Sequence, residues 1–371
     1  MKHVLFAASL GSAVLLAACG GASSTNSASP SPGSANIPTP PAASITGAGS
    51  TFDYPFFSAA FYAYNQKFSQ VTVNYQSIGS GGGIQQFVKK TVDFGATDVP
   101  AKDSELQPAG GSAAVVQLPV TLGTVGLAFN LQGINTGQLK LTPKTIGGIF
   151  LGTIKKWNDS ALTADNSGVS LPDMPISIVH RSDGSGTTYI FTDYLSDVSS
   201  DWKDKVGKGK SVAFPVGLGA KGNEAVASTI KQTPGAIGYV ELAYILQTNM
   251  PQASLQNRDG NFVIPSPEGA TAAAAQFLAT SPTSFSIVNA PGKNSAPISG
   301  YSWAMLSKEQ TDKTRGTALV DLFDWLVSDG QQYAVNLHYA RLPANVERDA
   351  IAALKTLTSA GSTLLNVPSG S

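Results

Sequence analysis

The chain has 371 residues, with 24 Lys plus Arg balancing 24 Asp plus Glu, and only 13% of its residues are charged. A balanced chain with no basic block lacks the electrostatic footprint of a nucleic-acid binder. Its single Cys excludes a disulfide framework and a Cys-rich metal site, and its apolar runs stop short of the ~18 residues that a membrane span needs.

In chain order, Lys2 and His3 precede an apolar stretch, Val4 to Ala18, that closes on Leu16-Ala17-Ala18-Cys19. A basic start, a short apolar run and small residues make an export signal. The chain's sole Cys follows directly, so residues 1–18 look like a bacterial lipoprotein signal and Cys19 like the residue that is acylated. Gly20 to Ala43 holds no aromatic and no charged residue. It cannot bury enough apolar surface to offset its ordering entropy, so residues 19–43 read as a disordered Ser/Pro/Gly tether.

From Ser44 onward, short strands alternate with helices. Val71 to Tyr75, Val92 to Gly95, Ala114 to Leu118, Val125 to Phe129 and Ile176 to Val179 have strand character, and Ser302 to Leu306 is extended. Pro119 and a Gly are expected to separate the third strand from the fourth. Helical spacing marks Ile84 to Lys90, Tyr189 to Leu195, and Ala318 to Val327, where Leu319, Leu322, Phe323 and Leu326 share a face. This alternation predicts an α/β protein of two domains, each with a mostly parallel sheet flanked by helices. Ligands of such sheets lie beyond the carboxyl ends of strands, at helix N-termini.

Four strand-following loops carry candidate chemistry. Thr46 to Phe52 (TGAGSTF) leads into an aromatic helix and offers the Ser50 and Thr51 hydroxyls beside unpaired N–H groups. Ile78 to Gly83 (IGSGGG) surrounds Ser80 with glycines, a loop whose backbone N–H groups suit an anion. Asp93 to Pro100 places Asp98 after a strand. Arg181 to Thr188 (RSDGSGTT) combines Arg181, suited to a bidentate grip on a tetrahedral oxyanion, with Ser185, Gly186 and Thr187 at a helix start. Asp183 is placed to pair with Arg181 and fix its orientation. Gly217 to Gly222 matches the dinucleotide pattern G-x-G-x-x-G, but Pro215 interrupts the preceding run, so it reads as a glycine turn before a helix capped by Asn223. An exported hydrolase or phosphatase is the rival from another class. It lacks a G-x-S-x-G elbow and a His or Cys cluster, and no base activates a Ser nucleophile, so the chain is expected to bind without turnover and to need no cofactor or metal. Trp157, Trp202, Trp303 and Trp325 read as core or lobe-surface residues rather than as sugar-stacking platforms.

Taken together, GAGSTF, NYQSIGSGGGIQQF, VDFGATDVP, RSDGSGTT and KGNEAVASTIKQTPGAIGYVE resemble, in order, the phosphate-binding lipoproteins of bacterial phosphate ABC transporters, the PstS family. The resemblance spans Ile45 to Glu241, and GYSWAMLSK and HYARLP extend it more loosely. It implies a two-lobed periplasmic-binding-protein fold (type II-like) with two hinge crossings, near Leu118–Gly126 and Ala296–Ser302. Lobe I would comprise 44–119 plus 297–371, and lobe II 120–296. The implied phosphate contacts are Ser50, Thr51 and the Phe52 N–H, then Ser80 and Asp98, and from the other lobe Arg181, Ser185, Gly186 and Thr187. Asp98 would accept the proton that phosphate keeps at neutral pH and that sulfate lacks. Asp53 stands where the family more typically has Pro, so it either points away from the anion or lowers affinity. His180 is not expected to touch the ligand. The implied partners are inorganic phosphate and the transmembrane permease subunits. A monomer held outside the cytoplasm by its lipid is implied, with no nucleic acid bound; another oxyanion is the nearest alternative ligand.

Overall fold

The computed structural model describes residues 39–365, so the export signal, Cys19 and most of the tether lie outside the described residues. Eight strands form one sheet: β1 (Ala43–Gly49), β2 (Val71–Ser77), β3 (Phe94–Thr97), β4 (Val115–Phe129), β5 (Ser177–Arg181), β6 (Leu218–Ala220), β7 (Ala236–Glu241) and β8 (Ser299–Ser307). Their spatial order is β2-β1-β3-β8-β4-β7-β5-β6. β1 pairs in parallel with β2 and β3, and β5 pairs in parallel with β6 and β7. Between these groups β4 runs antiparallel to both β8 and β7, and β8 runs antiparallel to β3. The expected α/β class is present, parallel toward both edges and antiparallel at the centre.

The expected break at Pro119 is absent. Residues 115–129 form one 15-residue strand, about 50 Å long at ~3.3 Å per residue. Its Val, Leu and Thr side chains are buried on both faces, which sustains an extended run through the proline. Pro119 lacks an N–H and marks the ladder instead. The register shifts where Trp303 faces Pro119 and Ser302 faces Thr121, a bulge beside the centre of the sheet. β4 then changes partner: Thr124 faces Ser299 of β8, Val125 faces Glu241 of β7, and the Val125 N–H donates to the Ile298 carbonyl at 2.8 Å. The half-sheet β2-β1-β3-β8 therefore hangs on the first part of β4, and β7-β5-β6 on the second.

Six helices matter for the site: α1 (Tyr54–Lys67), α2 (Ser80–Val88), α3 (Gly186–Val198), α4 (Gly222–Gln232), α5 (Leu242–Gln247) and α6 (Lys313–Val327). The first five begin within a few residues of the carboxyl ends of β1, β2, β5, β6 and β7, where an α/β sheet presents its ligand loops. The expected Gly-rich loop before α2 is not a loop: Ser80 to Gly83 already form the first turn of that helix. Phe57 and Phe61 of α1 pack edge-on to Phe94, which meets Phe323 of α6, while Phe191 of α3 stacks on Tyr239 of β7. All four Trp side chains are buried, so of the two expected placements, core and lobe surface, they take the core. Among the described residues, no helix is long and apolar enough to cross a membrane.

Candidate functional site

β1 ends at Gly49 with φ +147, and a Cβ there would sit 2.0 Å from the Ala96 carbonyl oxygen, so only glycine lets β1 run this close to β3. The turn that follows buries Ser50 and Thr51. Ser50 Oγ accepts the Phe52 N–H at 2.9 Å and donates to Asp98 Oδ1 in a short hydrogen bond. The Phe52 N–H, expected to face a ligand, thus donates to its neighbour's hydroxyl. Asp98, in the turn after β3, is 2% exposed. Its N–H donates to Ser80 Oγ at 3.2 Å, and the same oxygen accepts the Gly186 N–H at 3.1 Å. Ser80 therefore ties the first half-sheet to the start of α3, on the second.

From that second half, β5 delivers Arg181, nearly fully buried. Its Nε and Nη2 donate to Asp183 Oδ1 and Oδ2 at 2.7 and 2.5 Å, and Nη1 donates to Thr187 Oγ1 at 3.4 Å. The expected Arg181–Asp183 pair is therefore bidentate, and further N–H protons of Nη1 and Nη2 remain for an anion. Burial opposes ionisation of Asp183, but the Arg181 guanidinium and the Gly222 N–H hold its carboxyl below the usual range. Ser185 caps α3 by accepting the Thr188 N–H at 3.0 Å. His180 stacks on Phe214.

The two sides meet at glycines. The Gly81 N–H donates to the Gly184 carbonyl at 2.8 Å, and a Cβ on Gly186 would lie 2.4 Å from Asp98 Oδ2. Asn223, expected as a helix cap, does something else. Its side-chain amide donates to Thr51 Oγ1 at 2.9 Å and to Thr187 Oγ1 at 3.1 Å, bridging hydroxyls from both halves. Every hydrogen bond found for the Thr51, Ser80 and Thr187 hydroxyls uses the oxygen as acceptor. Each O–H proton is left to point at a further acceptor. Three hydroxyl donors, one buried guanidinium and the first turn of α3 thus converge on one small volume that also holds the carboxylate of Asp98.

Asp53 does not point away from this cluster. It lies at the start of α1 without capping it, and its Oδ2 contacts Ser302 Oγ at 2.6 Å. Ser302 Oγ is also 2.8 Å from Asp98 Oδ1. Burial pushes Asp98 up to about 6, against the lowering effect of Ser50, Ser302 and Arg181. Burial, with the Asp98 charge, holds Asp53 well above the ordinary carboxylate range. Tyr339 donates to the Phe52 carbonyl at 2.6 Å and lies 3.1 Å from Glu241, which burial holds high. Ser302 and Asn223 are the site residues that sequence reasoning missed. Pro119, opposite Ser302's neighbour in the ladder, was a signal for a bulge there; nothing local distinguished Asn223 from a cap.

A family model described as a PBP superfamily domain matches residues 34–330. The chain is 46% identical over 320 residues to the phosphate-binding protein PstS of Xylella fastidiosa, covering 84% of this chain and 86% of the relative. It is also 46% identical over 312 residues to the PstS of Haemophilus influenzae, covering 84% and 92%. Among solved structures, the ancestral soluble variant of the human phosphate-binding protein superposes with a TM-score of 0.69 at 20% identity, over 86% of this chain and 96% of that one, which speaks for the fold alone. The architecture is the two-lobed α/β periplasmic-binding fold. With identity of this depth across most of both sequences, the chain belongs to the PstS family of phosphate-binding proteins.

Proposed function

We propose that this protein binds inorganic phosphate between two lobes, 44–119 plus 297–371 and 120–296, and delivers it to the permease of an ABC transporter. The supporting observation is the set of hydroxyls whose oxygens are all occupied as acceptors, gathered with Arg181 from both sides of β4. In this reading Ser50 and the Phe52 turn orient Asp98, while Thr51, Ser80, Thr187, Ser185 and the Gly186 end of α3 donate to the ion. Arg181, held by Asp183, stabilises its charge. A ligand that engages both lobes favours the closed arrangement, because an ion held equally well by open and closed forms would shift nothing. In this reading the hinge crossings lie near Leu118–Gly126 and Ala296–Ser302, spans that include Thr124–Val125 and Ile298–Ser299, where β4 changes partner.

Asp98 supplies selectivity. Phosphate at neutral pH carries a proton for Asp98 to accept; sulfate carries none, so two buried anionic oxygens would face each other. An unmade charged hydrogen bond and like-charge contact cost several kcal/mol, and ~1.4 kcal/mol is tenfold, so the preference is several hundredfold or more. We further infer an extracytoplasmic protein, acylated at Cys19 and held by that lipid and the 19–43 tether near the permease. Isothermal titration of the ligand-stripped protein tests the binding claim. One phosphate per chain with sulfate at least a hundredfold weaker is expected; equal affinity for the two ions, or no heat with phosphate, overturns it.

A further inference from the structure

Ser302 has one hydroxyl proton and two carboxyl neighbours. Its Oγ lies 2.6 Å from Asp53 Oδ2 and 2.8 Å from Asp98 Oδ1, both hydrogen-bond distances. Ser50 already spends its proton on Asp98 Oδ1. If both carboxyls were ionised, one of the two Ser302 contacts would be oxygen against anionic oxygen with no proton between them. The count closes when Asp53 brings the missing proton. Two further observations agree. Asp53 occupies an N-cap position yet makes no cap hydrogen bond, so the helix does not hold it as an anion. Its other oxygen, Oδ1, is buried without a hydrogen-bond partner, which a neutral carbonyl oxygen tolerates far better than a carboxylate does.

We propose that Asp53 is a positioning residue of the phosphate site: as a neutral acid it donates to Ser302, whose own proton is thereby directed to Asp98, keeping Asp98 an acceptor for the ligand. This rests on the phosphate-binding reading above. The titratable groups around Asp53 are Asp98 after β3, Tyr75 of β2, Glu241 at the end of β7 and Tyr339; none is a cation, and Arg181 acts on Asp98 rather than on Asp53. Nothing among them favours the ionised form. Losing the Asp53 proton at alkaline pH would draw the Ser302 proton away from Asp98 and set a second negative charge beside the bound ion. Asn keeps the donor and cannot ionise.

The test measures phosphate affinity from pH 6 to pH 9.5 for the intact protein and for Asp53→Asn, Asp53→Ala and Ser302→Ala, with infrared difference spectra at pH 7. Comparing variants at each pH cancels the titration of phosphate itself. Asp53→Ala and Ser302→Ala are expected to weaken binding at pH 7 by about tenfold or more, with Asp53→Asn recovering most of the loss. The affinity of the intact protein should fall more steeply above neutral pH than that of Asp53→Asn, and the difference spectrum should contain a protonated-carboxyl band. Parallel pH profiles, or a spectrum with no such band, overturn the proposal. If neither protein binds phosphate, the functional reading fails, yet a protonated-carboxyl band present in the intact protein and lost in Asp53→Asn still reports the proton on Asp53. Should the variants not fold, carbon-13 shifts of aspartate-labelled intact protein carry the test: all buried carboxyls ionised at pH 7 would refute it.

Discussion

If Asp98 plays the proposed part, discrimination between ions depends on pH. Burial raises it to about 6, so at pH 8 it is an anion, which in that role would accept from phosphate and repel sulfate. As pH falls through that value it gains a proton and becomes a donor, which a sulfate oxygen can accept. Competition titrations at pH 5 and pH 8 should show the phosphate preference shrinking by about tenfold or more at pH 5; a constant ratio would remove Asp98 from the role. Asp98→Asn should narrow the gap at pH 8 and change it little at pH 5, because an amide donates to either ion as the protonated acid does. Of the residues gathered here, Ser50, Ser80, Asp98, Arg181 and Thr187 were legible because each stands in a strand-following motif. Ser302 and Asn223 were not. Their roles depend on which strand pairs with β4 and on how α4 meets the β1 turn; Pro119 hints at a bulge in the first pairing without naming its partner, and the second leaves no local mark.

At the level of elements, the approach of α3 to the turn after β3 depends on Gly186. A Cβ there would lie 2.4 Å from Asp98 Oδ2, a contact between the two halves rather than within either. Gly186 is the first residue of α3, and its φ is not in the left-handed region, so the helix itself accepts Ala there. Gly186→Ala should therefore leave the melting temperature of the ligand-stripped protein unchanged or slightly higher while weakening phosphate binding about tenfold or more. Equal losses of stability and affinity would mean that the contact belongs to one folded half. The sequence marked most elements but misjudged two boundaries for physical reasons. β4 continues through Pro119 because buried apolar side chains on both faces outweigh one missing ladder bond, and α2 starts inside the glycine run because those glycines are needed for close packing, not for looseness. Gly83 shows this directly: a Cβ there would meet Gly49 Cα at 2.4 Å.

Across the whole molecule, the buried carboxyls set an acid-side optimum. Burial raises Asp98 to about 6, Asp321 to about 7 and Asp324 to about 6, and holds Asp53 and Glu241 up as well. In the unfolded chain such groups titrate near ~4, so between about pH 4 and pH 7 the folded state binds more protons and stability falls as pH rises. Carboxyls held low, such as Asp183 and Glu105, act in the opposite sense, but only toward more acid pH. The melting temperature of the ligand-stripped protein should thus drop by about 5 °C or more from pH 5 to pH 8; a rise would contradict this assignment. Lys210 and Glu105, 2.6 Å apart, add a further tie between segments on the two sides of β4.

Phosphate binding as proposed requires groups from both halves to hold one ion at once. A crystal structure of the protein with phosphate bound tests it most directly. A single ion is expected within hydrogen-bond distance of Arg181, Asp98 and the Thr51, Ser80 and Thr187 hydroxyls together. An ion seated elsewhere, or touching residues of one half only, would contradict it.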